Sequence, residues 1–270
     1  MYLEKRETSV NNVNKTLYIP LYGKAYVSRK GIILNDQKAE EIWNAEGFKL
    51  KGKSKSKWLA YYMGMRSCVF DNWISEEMQK DSAAVVLHIG CGMDSRVLRV
   101  GTNGHQWYDI DFPSVIEERK KYYVEEDCYH MVEADVRDAD WLSKIPKAKH
   151  AIIVMEGVSM YFKPEELMVV LKQISAYFEV VNLLMDCYTT VAANASKYKN
   201  PINDVGVTVV YGLDEPRDVE SNCLKFKKEH EMTPEVLINE LEGVEKAIFK
   251  KLYSGSIAKK MYRMYEYIQE

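Results

Sequence analysis

From Asp81 onward, short β-rich runs alternate with segments of helical period, and no other feature of the chain constrains its fold as tightly. Strands are expected at "AAVVLHIG" (83–90), "HQWYDIDF" (105–112), "CYHMVEAD" (128–135), "HAIIVMEG" (150–157) and "EVVNLLMDCY" (179–188). Between them lie "DSRVLRV", "PSVIEERKKYYVEE", "WLSKIP" and "KPEELMVVLKQISAYF". In the last, Pro164 suits a first helical turn, and Glu165 and Glu166 suit the positive end of a helix. Leu167, Val170, Leu171 and Ile174 then repeat at helical spacing. Strands alternating with helices predict a parallel sheet covered on both faces, with the unbroken apolar run "AIIVM" near its centre.

The alternation lapses after Tyr188. Residues 189–232 are polar and rich in turn formers, and read as an insertion. A helix is expected at "TPEVLINELEG", capped by Thr233 with Pro234 at its first position. "EKAIFKKLY" and "KKMYRMYEYIQE" then read as two final strands, a hairpin joined around "SGS". The first eighty residues are helical in pattern and aromatic-rich. The division that follows is a helical cap over 1–80 and a ligand-binding domain over 81–270, with an insertion at about 189–232. The basic run "KLKGKSKSK" (49–57) reads as a solvated loop.

Composition narrows the function by exclusion. The 37 basic and 40 acidic residues of the 270-residue chain nearly cancel, so nothing resembles the positive field of a nucleic-acid binder. No window holds the roughly 20 apolar residues of a membrane span, and the start "MYLEKRETSVNN" lacks the apolar stretch of a secretory signal. Five scattered cysteines without a Cys-x-x-Cys read as reduced thiols of a cytoplasmic protein. Cys128 and His130 are the one close Cys/His pair, and as residues of a strand they give no metal site.

Open parallel sheets bind ligands at the carboxyl ends of their strands, where the strand order reverses. "VVLHIGCGMDSRVLRV" (85–100) places a Gly-Cys-Gly turn at such an end. Asp111 closes the next strand, about 20 residues beyond Gly90, where an acid takes the hydroxyls of a ribose. A lone acid there would more often be a capping residue, but Asp135 and Glu156 end the following two strands and point to one cleft. A dinucleotide would want a third glycine, and Ser95 stands in its place beside Asp94, which would repel phosphate. A ribose ligand without phosphate and with a cationic centre fits that acidic surround: S-adenosylmethionine.

The stretches "LHIGCGMDSRVLRV", "WYDIDFPSVIEERKKY", "EADVRDADWL" and "MEGVSMYFKPEEL" resemble the leucine carboxyl methyltransferase family, near its tetracenomycin polyketide O-methyltransferase branch. The likeness extends from "TLYIPLYGKAYVSRKGIILND" through "YYMGMRSCVFD" to "VVYGLDEPRDVE". It implies an α/β class I methyltransferase fold: a Rossmann-like, seven-stranded, mostly parallel sheet with its last strand antiparallel, under an N-terminal helical cap. It also implies that Arg66 grips the methionine carboxylate of the cofactor, assisted by Lys24. By the same resemblance Gly90 and Gly92 let the backbone approach the methionine and ribose. Asp111 takes the ribose hydroxyls, Asp135 and Val136 hold the adenine, and Glu156 lies near the methionine end. Cys91 between the glycines is a departure from the family pattern, as is the shortness of the chain beside eukaryotic leucine carboxyl enzymes.

The implied activity is S-adenosylmethionine-dependent O-methylation, of a carboxyl group on a small molecule or a peptide C-terminus. An ionised carboxylate needs alignment and exclusion of water but no general base, whereas a hydroxyl or phenol needs one. No histidine with an evident acid partner stands near the strand ends in the sequence. Tyr161 after the fourth strand is a candidate for lining the methyl-transfer site, with packing beneath a lid as its other reading. Met155, Met160, Met168 and Met185 read as core before they read as a pliable substrate wall. A hydroxyl O-methyltransferase, a nicotinamide-dependent reductase and a non-catalytic cofactor binder are the alternatives.

Overall fold

The computed structural model describes residues 17–46, 55–196, 209–255, 258 and 260–270. Most of the basic run 49–57 and residues 197–208 of the expected insertion at about 189–232 lie outside the described residues.

Five of the expected strands form, each within a few residues of its expected limits: β1 (Val85–Ile89), β2 (Trp107–Asp111), β3 (Tyr129–Glu133), β4 (His150–Met155) and β5 (Val180–Tyr188). Every residue of β1 is buried, as a strand covered on both faces requires. With β6 (Lys225–His230) and β7 (Tyr262–Gln269) they make a seven-stranded sheet in the order β3-β2-β1-β4-β5-β7-β6. β1 to β5 pair in parallel, and β7 runs antiparallel to both of its neighbours, β5 and β6. The order turns back on either side of β1, so the carboxyl ends of β1 and β4 open the crevice where a ligand is expected.

Two expectations for the C-terminal third are corrected. "EKAIFKKLY" lies in a helix, Gly243–Tyr253, and not in a strand. Its aromatic residues Phe249 and Tyr253 stand one helical turn apart and stack at 5.2 Å, a contact that a strand, which sets residues four apart about 13 Å from each other, does not allow. The partner of β7 is instead β6, "KFKKEH", whose lysines and exposed side chains hide the strand from any apolar pattern. Charged side chains of this kind protect a sheet edge from pairing with other chains. The helix expected at 233–243 is also shorter, Glu235–Ile238, with Pro234 and not Thr233 at its N-cap.

Three helices precede the sheet: α1 (Tyr18–Lys30), α2 (Gln37–Glu46) and α3 (Lys57–Met78). α3 is buried along most of its length because α1 covers one side and the sheet the other. The crossing of α1 and α3 is close: a Cβ on Gly64 would come within 2.8 Å of the stiff Val27 side chain. After β1 follow α4 (Arg96–Val100) and α5 (Pro113–Arg119), then α6 (Pro164–Tyr177), which buries Leu167, Val170, Leu171 and Ile174 as its period requires. Among the described residues no helix is long and apolar enough to cross a membrane.

Gly64→Ala should force α1 and α3 apart and destabilise the fold by about 1–3 kcal/mol. A chemical denaturation midpoint equal to that of the wild type would contradict this tight crossing.

Candidate active site

A cavity of about 400 Å³ lies at the carboxyl ends of β1, β2 and β4, roofed by α1 and α3. Lys24, Arg66, Gly90, Gly92, Asp111, Asp135, Val136, Glu156 and Tyr161 all line it, so the residues singled out from sequence meet in one place.

The glycine turn forms its floor. Gly90 and Gly92 have φ of 69° and 52°, in the left-handed region that glycine enters without strain. A Cβ on Gly90 would lie 2.3 Å from Val158, so that position has no room for a side chain. The Gly92 N–H donates to Asp111 Oδ2 at 2.8 Å, and the Phe112 N–H donates to Oδ1 at 2.8 Å. Arg119, fully buried below the turn, donates to the Gly92 carbonyl at 3.0 Å and pairs with Asp109. Burial pushes the Asp111 carboxyl up to about 6, even though both backbone donors favour its ionised form. In Asp109 burial acts in the same sense but Arg119 and His88 outweigh it, and the carboxyl is lowered to about 2.

The inner end is built from ions. Lys24 Nζ stands 2.7 Å from Asp94 and 3.6 Å from Glu156. Arg66 donates to Glu156 at 2.8 Å and to Asp186 at 2.9 Å. Arg96, 0% exposed, pairs with Glu156, with Asp71 at 2.7 Å and with Asp94 at 3.3 Å. Arg99 ties Asp36, Asp71 and Asp94 together at 2.6, 2.6 and 2.8 Å. Burial acts to raise Glu156, but Lys24, Arg66 and Arg96 more than offset it and hold the carboxyl well below its usual range. Asp186 also accepts from the Tyr262 hydroxyl and from the Gly157 N–H, both at 2.6 Å. It thereby fixes Arg66, the start of β7 and the turn after β4 to one another.

At the opposite end, Arg137 grips both oxygens of Asp135 at 2.8 and 2.6 Å and stands over the Phe112 ring. Phe112 and Val136 make the neighbouring walls apolar. The remaining lining is largely apolar or tyrosine: Leu59, Met160, Tyr161, Tyr188, Tyr211 and Tyr262 among others.

His88 corrects the reading that no histidine near the strand ends has an acid partner. Its Nδ1 lies 3.1 Å from Asp109, and its Nε2 lies 3.1 Å from Arg96 Nη1. A guanidinium can only donate, so Nε2 accepts and Nδ1–H donates to Asp109. The ring is neutral and both its nitrogens are engaged; burial, its largest influence, lowers its pKa in the same direction. Sequence reasoning also missed Arg96, Arg99, Asp36, Asp71 and Asp186. The signals were present: Arg96 and Arg99 sit one turn apart in the otherwise apolar "RVLRV", and Asp186 interrupts the apolar run of β5 near its carboxyl end.

The family model of leucine carboxyl methyltransferase matches residues 11–175. The chain belongs to that family. It is 28% identical over 244 residues to the tetracenomycin polyketide synthesis O-methyltransferase TcmP of Streptomyces glaucescens, covering 88% of this chain and 89% of that protein. It is 24% identical to the S-adenosyl-L-methionine-dependent methyltransferase dpfgK of Gibberella zeae, over 84% of each chain. The fold matches that of a magnesium protoporphyrin IX methyltransferase (ChlM) from Synechocystis PCC 6803 with bound SAH, with a TM-score of 0.51, 11% identity and coverage of 87% and 95% of the two chains. This leucine carboxyl methyltransferase family member is an S-adenosylmethionine-dependent O-methyltransferase with the class I sheet.

The cavity fits that cofactor. Arg66 Nε is buried and has no hydrogen-bond partner in the protein, leaving a cationic donor for a ligand. Val158 fills the space a side chain on Gly90 would need, and Gly90 and Gly92 line the cavity with backbone alone. Asp111 faces the cavity with lone pairs left for a diol.

The raised Asp111 carboxyl has a consequence for the ligand-free protein. Its folded value of about 6 exceeds the ordinary 3.8, so its contribution to stability is fullest below about 4 and is lost as pH rises through about 6. Asp111→Asn should remove that decline: compared with wild type, the variant should gain stability between pH 4 and 7 in denaturant titrations. Parallel curves for the two proteins would refute the assignment.

Proposed function

We propose that the acceptor is a carboxylate on a small, ring-bearing molecule, and that the cavity binds the cofactor with its methionine end toward Arg66 and its adenine toward Asp135. The observation that carries the acceptor reading is the double engagement of His88. Its Nε2 is held by Arg96 and its Nδ1 by Asp109, and it is the one histidine among the described residues lining the cavity. It cannot receive a proton without breaking one of these bonds. Tyr262 is no better as a base, since burial raises its pKa well above that of a free phenol. A carboxylate arrives already ionised and needs none.

Bound S-adenosylmethionine supplies an electrophilic methyl group on a sulfonium. The chain's residues bind, orient and exclude water. Arg66, through its unpartnered Nε, and Lys24 take the ligand carboxylate, with Glu156 near the methionine amino end. Gly90 and Gly92 let the protein backbone approach the methionine and ribose, and Asp111 accepts from the ribose hydroxyls. Asp135, steadied by Arg137, and Val136 edge the adenine, with Phe112 beside it. Tyr161 lies on the acceptor side, with Met160, Tyr188 and Tyr211. A wall of tyrosine and aliphatic side chains suits a flat apolar acceptor better than an extended peptide end, in line with the polyketide setting named for TcmP. The helical cap up to about residue 80 and the insertion at about 189–232 then shape the acceptor side, through Leu59 and Tyr211. Asp94 and Ser95 at the third position of the glycine turn speak against a dinucleotide and so against a reductase.

Asp111→Ala and Arg66→Ala should each weaken S-adenosylmethionine binding by about tenfold or more, the worth of a charge-assisted hydrogen bond. Calorimetric titration of either folded variant with wild-type affinity would remove that residue from the cofactor site. On the acceptor side, the rate should stay flat from about pH 7 to 9, without the tenfold rise per unit that a deprotonating hydroxyl imposes. Labelled product should release volatile methanol in mild alkali, as a methyl ester does. An alkali-stable product would turn the reading to a hydroxyl acceptor.

A further inference from the structure

The ion cluster at the inner end of the cavity does not balance. Among the described residues it holds five carboxylates, Asp36, Asp71, Asp94, Glu156 and Asp186, against four cations, Lys24, Arg66, Arg96 and Arg99. The neighbouring groups do not supply the missing charge. His88 is neutral because Arg96 donates to it, and Arg119 is matched by Asp109. Every member side chain is 11% exposed or less, so solvent and salt screen the excess weakly.

The substrate and product forms of the cofactor differ at this end by one charge: the sulfonium carries it and the thioether does not. We propose that the cluster's surplus carboxylate makes the cavity a charge discriminator, binding S-adenosylmethionine in preference to S-adenosylhomocysteine and so limiting inhibition by its own product. The inference rests on the reading that places the methionine end of the cofactor at Lys24, Arg66 and Glu156.

Asp186 is the member through which the surplus is expressed. It is 0% exposed and shares Arg66 with Glu156, so one guanidinium faces two carboxylates there. Its other partners, the Tyr262 hydroxyl and the Gly157 N–H, are neutral donors. Burial raises its pKa and Glu156 adds to that, against the lowering by Arg66 and Tyr262. Asp94, by contrast, has Lys24, Arg96 and Arg99 around it and is held well below the usual carboxylate range despite its burial.

The test is calorimetric titration of the full chain with S-adenosylmethionine, S-adenosylhomocysteine and sinefungin, a non-reactive analogue with an ammonium near the sulfonium position. Wild-type protein should bind both cations at least about tenfold more tightly than S-adenosylhomocysteine. Asp186→Asn keeps the shape and a hydrogen-bond acceptor while removing the surplus charge, and should shrink that ratio to about twofold or less, mainly by weakening the two cations. Asp94→Asn lowers the net negative charge of the cluster by the same unit from the turn after β1 should the first variant fold poorly, with folding checked by far-ultraviolet circular dichroism. Equal or tighter binding of S-adenosylhomocysteine to the wild type, or an unchanged ratio in a folded variant, overturns the discriminator and leaves the cofactor site intact. If none of the three ligands binds, the site reading itself fails along with it.

Discussion

The helices ahead of the sheet, the glycine turn and three strand ends are held in register by one buried ionic lattice. Arg96 and Arg99 leave α4 on the same side and reach Asp36 ahead of α2, Asp71 on α3 and Glu156 beyond β4. Burying so many charges is costly, and a well-packed apolar substitute would often be as stable. What the lattice supplies is specification. An ion removed from water must have its partners, so any other docking of the helices before the sheet would leave buried charges unpaired. The cavity walls inherit their positions from that requirement.

The same lattice explains the chemical character of the cavity. A purely apolar crevice would bind the adenine and reject the charged methionine end, whereas a balanced one would not favour a cation. An acidic surplus with cationic donors set into it can meet a carboxylate and a positive centre together. Tyr262 joins the two characters: its hydroxyl donates to Asp186 in the lattice, while its ring packs against Tyr188 on the tyrosine-lined side of the cavity.

The sequence exposes the parts of this fold that follow a short period. The apolar runs of β1 and β4 and the four-residue repeat of α6 are visible without any structure, and so is the acid at the end of β2. Residues on or just beyond those elements that line the cavity, such as Gly90, Asp111 and Glu156, are therefore legible, and the family resemblance adds Arg66 and Lys24 to the same lining. What could not be read is partnership across long separations. Asp186 looks like an isolated polar residue until β5 is set beside β4, and Arg99 looks solvated until Asp36 and Asp71 surround it. β6 was hidden for another reason: an edge strand with lysines on it carries almost no apolar signal, and the helix before β7 borrowed the place of its partner.

The position of β7 bears on how the chain reaches this state. β7 lies between β5 and β6 although it follows both in sequence. As the chain emerges, β5 has no partner on one side, and β6 cannot pair with it without taking the place that β7 must fill. The nine residues of β5, most of them fully buried in the finished sheet, remain an open apolar edge meanwhile. Such an edge recruits other chains. The period between the synthesis of β5 and the insertion of β7 is thus when this protein is most exposed to mispairing, and a bound cofactor gives little protection then, because Tyr262 at the start of β7 is part of its cavity.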